Sequence, residues 1–95
     1  MGKVYNYEAV ISESKIGKGG AYVIFPYDAY EEFGQKRVKV HATFDGEPYD
    51  GIVSKMGVFD ENGEGVYLIV VPKAIRDKIG KQFGDSVEVM IKIRE

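Results

Sequence analysis

The chain has no cysteine and a single histidine among its 95 residues. The first absence removes disulfide staples, thiolate metal sites and cysteine nucleophiles. Long apolar runs are missing too. Nothing approaches the roughly 20 residues that a membrane-spanning helix needs. The opening MGKVYNYEAV contains no apolar stretch of signal-peptide length. Gly2 would begin a myristoylation motif, but Asn6 stands where Ser or Thr is required. A soluble, cytoplasmic protein is expected.

There is no excess of one charge. Thirteen Lys and Arg against fifteen Asp and Glu leave a formal charge of −2, and the pI is near 5.4. Residues 1–48 carry six basic and seven acidic side chains, and residues 49–95 carry seven and eight. Neither half forms a basic or acidic tail, and the acidic balance disfavours a general nucleic-acid binder.

What is present is enough for one domain with one modest core, since a chain of this size hides roughly 60–70% of its unfolded surface. Seven tyrosines suit half-buried β surfaces. Residues 3–13 alternate Tyr5, Tyr7, Ala9 and Ile11 against Asn6, Glu8 and Ser12, which predicts a strand with one dry face. Residues 12–20 read as a Ser/Gly turn region before a strand over 21–25. Pro26 ends that strand and leads into a short helix with Asp28, Glu31 and Glu32 near its start and Gly34 as left-handed cap.

The next strand, 38–44, turns Val38, Val40, Ala42 and Phe44 inward and Lys39, His41 and Thr43 outward. Asp45-Gly46 is a hairpin turn, with a return strand over 49–56. Residues 57–65 read as a polar loop, with room for a short strand at Val58 and Phe59. The apolar run 66–71 predicts a strand buried on both faces. Pro72 opens a second short helix carrying Ile75 and Ile79 on one side, and Gly80 caps it. Gly84-Asp85 then turns into a strand with Val87, Val89, Ile91 and Ile93 inward.

The order strand, proline, short helix, glycine, strand therefore occurs twice, over 20–44 and 65–93. Pro26 matches Pro72, Ala29 matches Ile75, Phe33 matches Ile79 and Gly34 matches Gly80, all at an offset of 46. Val38 and Val40 match Val87 and Val89 at an offset of 49.

The segment VPKAIRDKIGKQFGDSVEV (71–89) resembles the core motif of the AbrB, MazE and SpoVT group of β-barrels. In that group two identical chains interlace into one double-split barrel. The resemblance implies that this chain carries both halves, the first copy lacking the Arg and the Gly-Asp turn. The chain is also similar to an uncharacterised bacterial and archaeal family of single-chain barrel-like domains. The stretches that carry this likeness are GGAYVIFP (19–26), VKVHATFDGEPY (38–49), Lys55-Met56-Gly57, PKAIRDKIG (72–80) and GDSVEV (84–89). Members of that family sometimes accompany a YdeI/OmpD-associated domain linked by name to bacteriocin protection. The motifs are structural and bring no catalytic residue with them.

Chemistry-bearing patterns are sparse. No G-x-S-x-G surrounds Ser12, Ser14, Ser54 or Ser86. Gly17-Lys18-Gly19-Gly20 fits neither phosphate-loop template and reads as a hairpin loop. Residues 60–65 place Asp60, Asn62 and Glu64 as a calcium loop would, but Val71 stands where the bidentate Glu belongs, which excludes an EF-hand. His41 reads as an exposed strand residue, and a general-base role would need a nucleophile and an orienting partner. Arg76 reads as a structural cation that pairs with a carboxylate such as Asp85 or caps a carbonyl. Lys36, Arg37 and Lys39 form the densest basic run and the first place to look for an anionic partner.

We therefore expect one domain over 1–95, a mainly β, six-stranded, pseudo-two-fold (double-split) β-barrel with two short helices. Its expected function is that of a non-enzymatic binding or interaction module. The candidate anion-binding residues are Lys36, Arg37, Lys39, His41, Tyr49 and Arg76, with no catalytic residue, metal or cofactor implied. The partner would be a protein or a small anionic ligand. One alternative is a DNA-binding regulator or antitoxin-like protein, which the AbrB resemblance implies and the pI disfavours. Another is a small-metabolite binder or enzyme using a cleft around His41 and Tyr49. With both halves on one chain a stable monomer is expected, a homodimer being the alternative.

Overall fold

The computed structural model describes residues 4–13 and 20–94. They form β1 (Val4–Val10), β2 (Ser12–Glu13), β3 (Ala21–Phe25), α1 (Ala29–Phe33), β4 (Arg37–Phe44), β5 (Glu47–Phe59), β6 (Gly65–Val70), α2 (Lys73–Ile79) and β7 (Ser86–Ile93). The strands make one curled sheet in the order β1-β7-β4-β5-β6-β3-β2, antiparallel at every pairing. The molecule is thus mainly β with two helices, as expected, and the sheet curls into a half-barrel.

The strand count differs from the six expected, because residues 4–13 divide at Ile11. β1 pairs with β7, whereas β2 pairs with β3 at the far end of the sheet order. Ile11 makes the change of partner: it is fully buried, its N–H donates to Asp85 O at 2.9 Å, and its carbonyl accepts from Gly84 N at 2.8 Å.

Alternation in the sequence sets the two faces. Val38, Val40, Ala42 and Phe44 on β4 and Val87, Val89 and Ile91 on β7 are buried in one core with Val23, Phe25, Val53 and Ile69. Each such aliphatic or aromatic side chain contributes roughly 1.5–3 kcal/mol on leaving water. In β6 three consecutive residues, Tyr67, Leu68 and Ile69, are buried, as the apolar run predicts.

The helices are short and capped where the sequence places their caps. Asp28 Oδ1 accepts from the N–H groups of Tyr30 (2.9 Å) and Glu31 (3.2 Å), and Gly34 ends α1 at φ 72°. Pro72 is the N-cap of α2, and Gly80 ends it at φ 70°. Asp45 and Gly46, at φ 49° and 87°, make a two-residue turn that pins the β4–β5 register. β5 runs longer than the expected 49–56 because a register irregularity between Lys55 and Phe59 absorbs Gly57 (φ 78°) and lets residues 57–59 continue the strand.

Two registers matter below. Val23 lies opposite Ile69, and Ala42 lies opposite Ile91. These are the pairs that the sequence offsets of 46 and 49 make equivalent.

Candidate functional site

The outward positions of β4 carry Arg37, Lys39 and His41 between the buried Val38, Val40 and Ala42. The turn register brings Ser54, Ile52 and Asp50 opposite them in that order. Past the end of β7, Arg94 N–H donates to Lys39 O at 2.9 Å, which lays Arg94 alongside Lys39. Lys92 faces His41 across the β4–β7 ladder.

One carboxylate organises this basic surface. Asp50 Oδ1 lies 2.7 Å from His41 Nδ1, and Asp50 Oδ2 lies 3.4 Å from Arg94 Nη1. The His41 hydrogen bond first, and the nearby Arg94 charge after it, hold the Asp50 carboxyl below its ordinary range. Asp50 therefore stays ionised and orients the His41 imidazole and the Arg94 guanidinium beside it.

Beside this constellation lies an open cleft of about 560 Å³ lined by Arg37, Tyr49, Asp50, Ile52, Lys55 and Arg94 with Gly51, Ser54 and Val70. Tyr49 stands at the cleft because of Gly51: a Cβ on Gly51 would fall 2.5 Å from Tyr49 Cε2. Only a glycine lets that ring fold over the strand. Ile52 and Val70 supply an apolar wall, and Lys55 is steadied over the Tyr67 ring at 5.2 Å. The arrangement offers planar and point-charge cations beside an apolar surface, a combination suited to an anionic group on an apolar body.

Of the six candidate residues, Arg37, Lys39, His41 and Tyr49 share this region. Lys36 is exposed and directly precedes β4. Arg76 is elsewhere: on α2 it is buried, its Nε donates to Val71 O at 3.3 Å, and its guanidinium lies 5.1 Å from the centre of the Phe83 ring. Its role there is in the packing of the α2 turn, in line with the carbonyl-capping reading.

The glycine-rich loop falls largely outside the described residues, at 14–19. Asp60 spends its carboxylate on its own turn, accepting from Asn62 N (2.9 Å) and Glu64 N (3.0 Å). Among the described residues no three His, Asp or Glu side chains gather as a metal site would require, and no helix is long and apolar enough to cross a membrane.

Sequence reasoning missed Asp50, Ile52, Lys55, Lys92 and Arg94. For Asp50 the signal was present: a two-residue turn at Asp45-Gly46 fixes the hairpin so that position 41 must face position 50.

These features define a small, mainly β domain with a cleft lined by Arg37, Lys55 and Arg94. A family model matches residues 7–91, and the chain belongs to that family, the Domain of unknown function (DUF1905). No curated protein matches the chain.

Proposed function

We propose that this chain is a non-enzymatic binding module that holds a small anionic ligand with an apolar body in the cleft beside β5. One observation carries the reading. On a chain of net charge −2 the cleft gathers Arg37, Lys55 and Arg94 against the single lining carboxylate of Asp50. Lys39 extends the same positive edge, and His41 lies beside it on β4. Arginine forks suit carboxylate and phosphate oxygens, and Ile52 and Val70 offer the apolar contact.

The curled sheet is read, on this proposal, as a six-stranded double-split barrel of the AbrB kind written on one chain. Several registers support it. Residues 4–13 act as one strand that changes partner at Ile11, and β5 changes partner at Ser54, which faces both Arg37 and Leu68. Tyr5 faces Ile91 as Tyr49 faces Ala42, so the repeat extends to 4–44 and 48–93.

The test uses phenyl phosphate, inorganic phosphate and phenol in thermal-shift titrations, because a ligand of the native state raises the melting temperature. Phenyl phosphate is expected to stabilise most, and Arg37→Ser with Arg94→Ser to abolish the shift. No stabilisation by any anion would remove the reading. Tight binding to generic duplex DNA that weakens steeply with salt would transfer the face to nucleic acid.

A further inference from the structure

The basic cleft has a counterpart of opposite sign. The offset of 49 that relates β4 to β7 carries Arg37, Lys39 and His41 onto Ser86, Glu88 and Met90. The hydrogen-bonding pattern follows the same correspondence. Lys39 faces Ile52 and His41 faces Asp50, while Glu88 faces Glu8 and Met90 faces Asn6. Arg94 N–H donates to Lys39 O at 2.9 Å, and at the corresponding place Asp45 N–H donates to Glu88 O at 2.8 Å.

A cleft of about 530 Å³ lies on that second surface, lined among others by Asn6, Glu8, Glu88 and Met90. Its volume is close to the 560 Å³ of the first cleft. Asp50, Gly51 and Ile52 of the first cleft correspond to Asn6, Tyr7 and Glu8 of the second, and across the outward positions of this repeated strand framework the charge is turned over. Lys39 is replaced by Glu88, Arg94 by Asp45 and the apolar Ile52 by Glu8. Asp45 is itself engaged, with Lys81 Nζ at 2.8 Å. Glu8 and Glu88 face one another directly, a like-charge cross-strand pair that costs stability and repels an incoming anion.

We infer that the chain has one anion site and one latent site. Glu8, Ser86 and Glu88, which stand where Ile52, Arg37 and Lys39 stand in the first half, are the specificity-determining residues that deny the anion the second cleft. The inference rests on the anion-binding reading above, and it assigns that reading a stoichiometry and a reason for it. A strand framework duplicated with the charge of its outward positions inverted gives a chain with a single polarised binding face rather than two equal ones.

The experiment is an amide-resolved NMR titration with phenyl phosphate. In the unmodified chain, shifts are expected around residues 37–41, 50–55 and 92–94 and not around 6–8 or 86–90. In the variant Glu8→Ile/Ser86→Arg/Glu88→Lys, which copies Ile52, Arg37 and Lys39, a second set of shifts should grow in at 6–8, 43–46 and 86–90. Bound anion should rise from one to two per chain. Ser86→Arg/Glu88→Lys, at two exposed positions, should show the same second set at higher ligand concentration should the triple variant fold poorly. Shifts at both clefts in the unmodified chain would overturn the inference, as would variants that bind only at the first cleft. Absence of any shift in the unmodified chain would overturn the anion-binding reading and this inference with it.

Discussion

Val23 lies directly opposite Ile69 in the ladder between β3 and β6, and both side chains are fully buried. Ala42 and Ile91 stand in the same relation between β4 and β7. An antiparallel ladder in which a residue faces its own sequence counterpart has a two-fold axis through that point. The two offsets come from the residue pattern, and the registers come from backbone pairing. Their agreement at two separate ladders is the physical argument for the duplication proposed above.

Cutting the chain within its central hairpin tests that argument. The cut separates β3 from β6, β4 from β5 and β7, and β1 from β7, and the short strand pairs left in each half do not hold themselves. Fragments 1–45 and 46–95 should each lack a cooperative melt as monomers, and mixing them should restore sheet circular dichroism in a one-to-one complex. A cooperative, monomeric melt from one fragment would refute the interdependence.

The axis residues also carry core energy. Ile69→Ala and Ile91→Ala should each cost about 2–5 kcal/mol in urea denaturation, since both side chains are fully buried. Val10 is 53% exposed, and Val10→Ala should stay within about 0.5 kcal/mol. Equal effects at the three positions would mean that the core is not centred on the two axis pairs.

Much of this architecture was legible in the sequence because period-two alternation and proline–glycine punctuation are local signals. Val38 to Phe44 and Val87 to Ile91 bury as their alternation requires, and Asp28, Gly34 and Gly80 cap as their chemistry requires. The break at Ile11 was not legible, because Tyr5 to Ile11 alternates without interruption and a change of partner is a tertiary event. The continuation of β5 through Gly57 was hidden for a related reason: an irregular register erases the alternation that would reveal it. In the cleft, the run Lys36 to Lys39 was visible as a block, whereas Arg94 reaches it only through the β4–β7 pairing. Arg76 was legible as part of the motif at 71–89 and as a cation for a carboxylate or a carbonyl, and the structure buries it in the α2 turn against Val71 O.

Gly51 and Tyr49 give the cleft its shape. Gly51→Ala places a methyl in the volume of the Tyr49 ring, with Ile69 Cδ1 also only 3.3 Å from the new atom. The ring must swing away, at a cost of about 1–3 kcal/mol. Denaturation should register that loss, and the Tyr49 ring resonances should shift in NMR spectra. An unchanged ring environment would show that the strand, not the ring, gives way.

Arg76 supplies the complementary case of a cation held for structure. Arg76→Lys keeps the charge but removes the Nε donor to Val71 O and the planar stack on Phe83. The expected cost is about 1–3 kcal/mol in urea denaturation, with phenyl phosphate binding at the β5 cleft unaltered. Phenyl phosphate binding weakened by Arg76→Lys, with stability intact, would return Arg76 to the ligand site.

Alkaline pH should loosen the end of the sheet that holds Tyr5. Its hydroxyl donates to Glu32 Oε1 at 2.5 Å, and its ring meets Phe25, Tyr27 and Phe33. Burial first, and the Glu32 bond second, push the Tyr5 hydroxyl up from 10.0 to about 12, and burial raises Tyr7 as well. A folded-state value above the unfolded one means that the native chain holds its proton longer. The stabilisation is therefore fully present below about pH 10 and drains away as pH rises through about 12. Lys81, raised by its contact with Asp45, adds to the same trend. Melting temperatures should fall across that window, and absorbance at the tyrosinate band should show part of the tyrosine ionising only with unfolding. Tyr5→Phe removes the titrating group, so its stability should start lower and decline less between those limits. A decline as steep in Tyr5→Phe as in the unmodified chain would assign the alkaline transition to other groups.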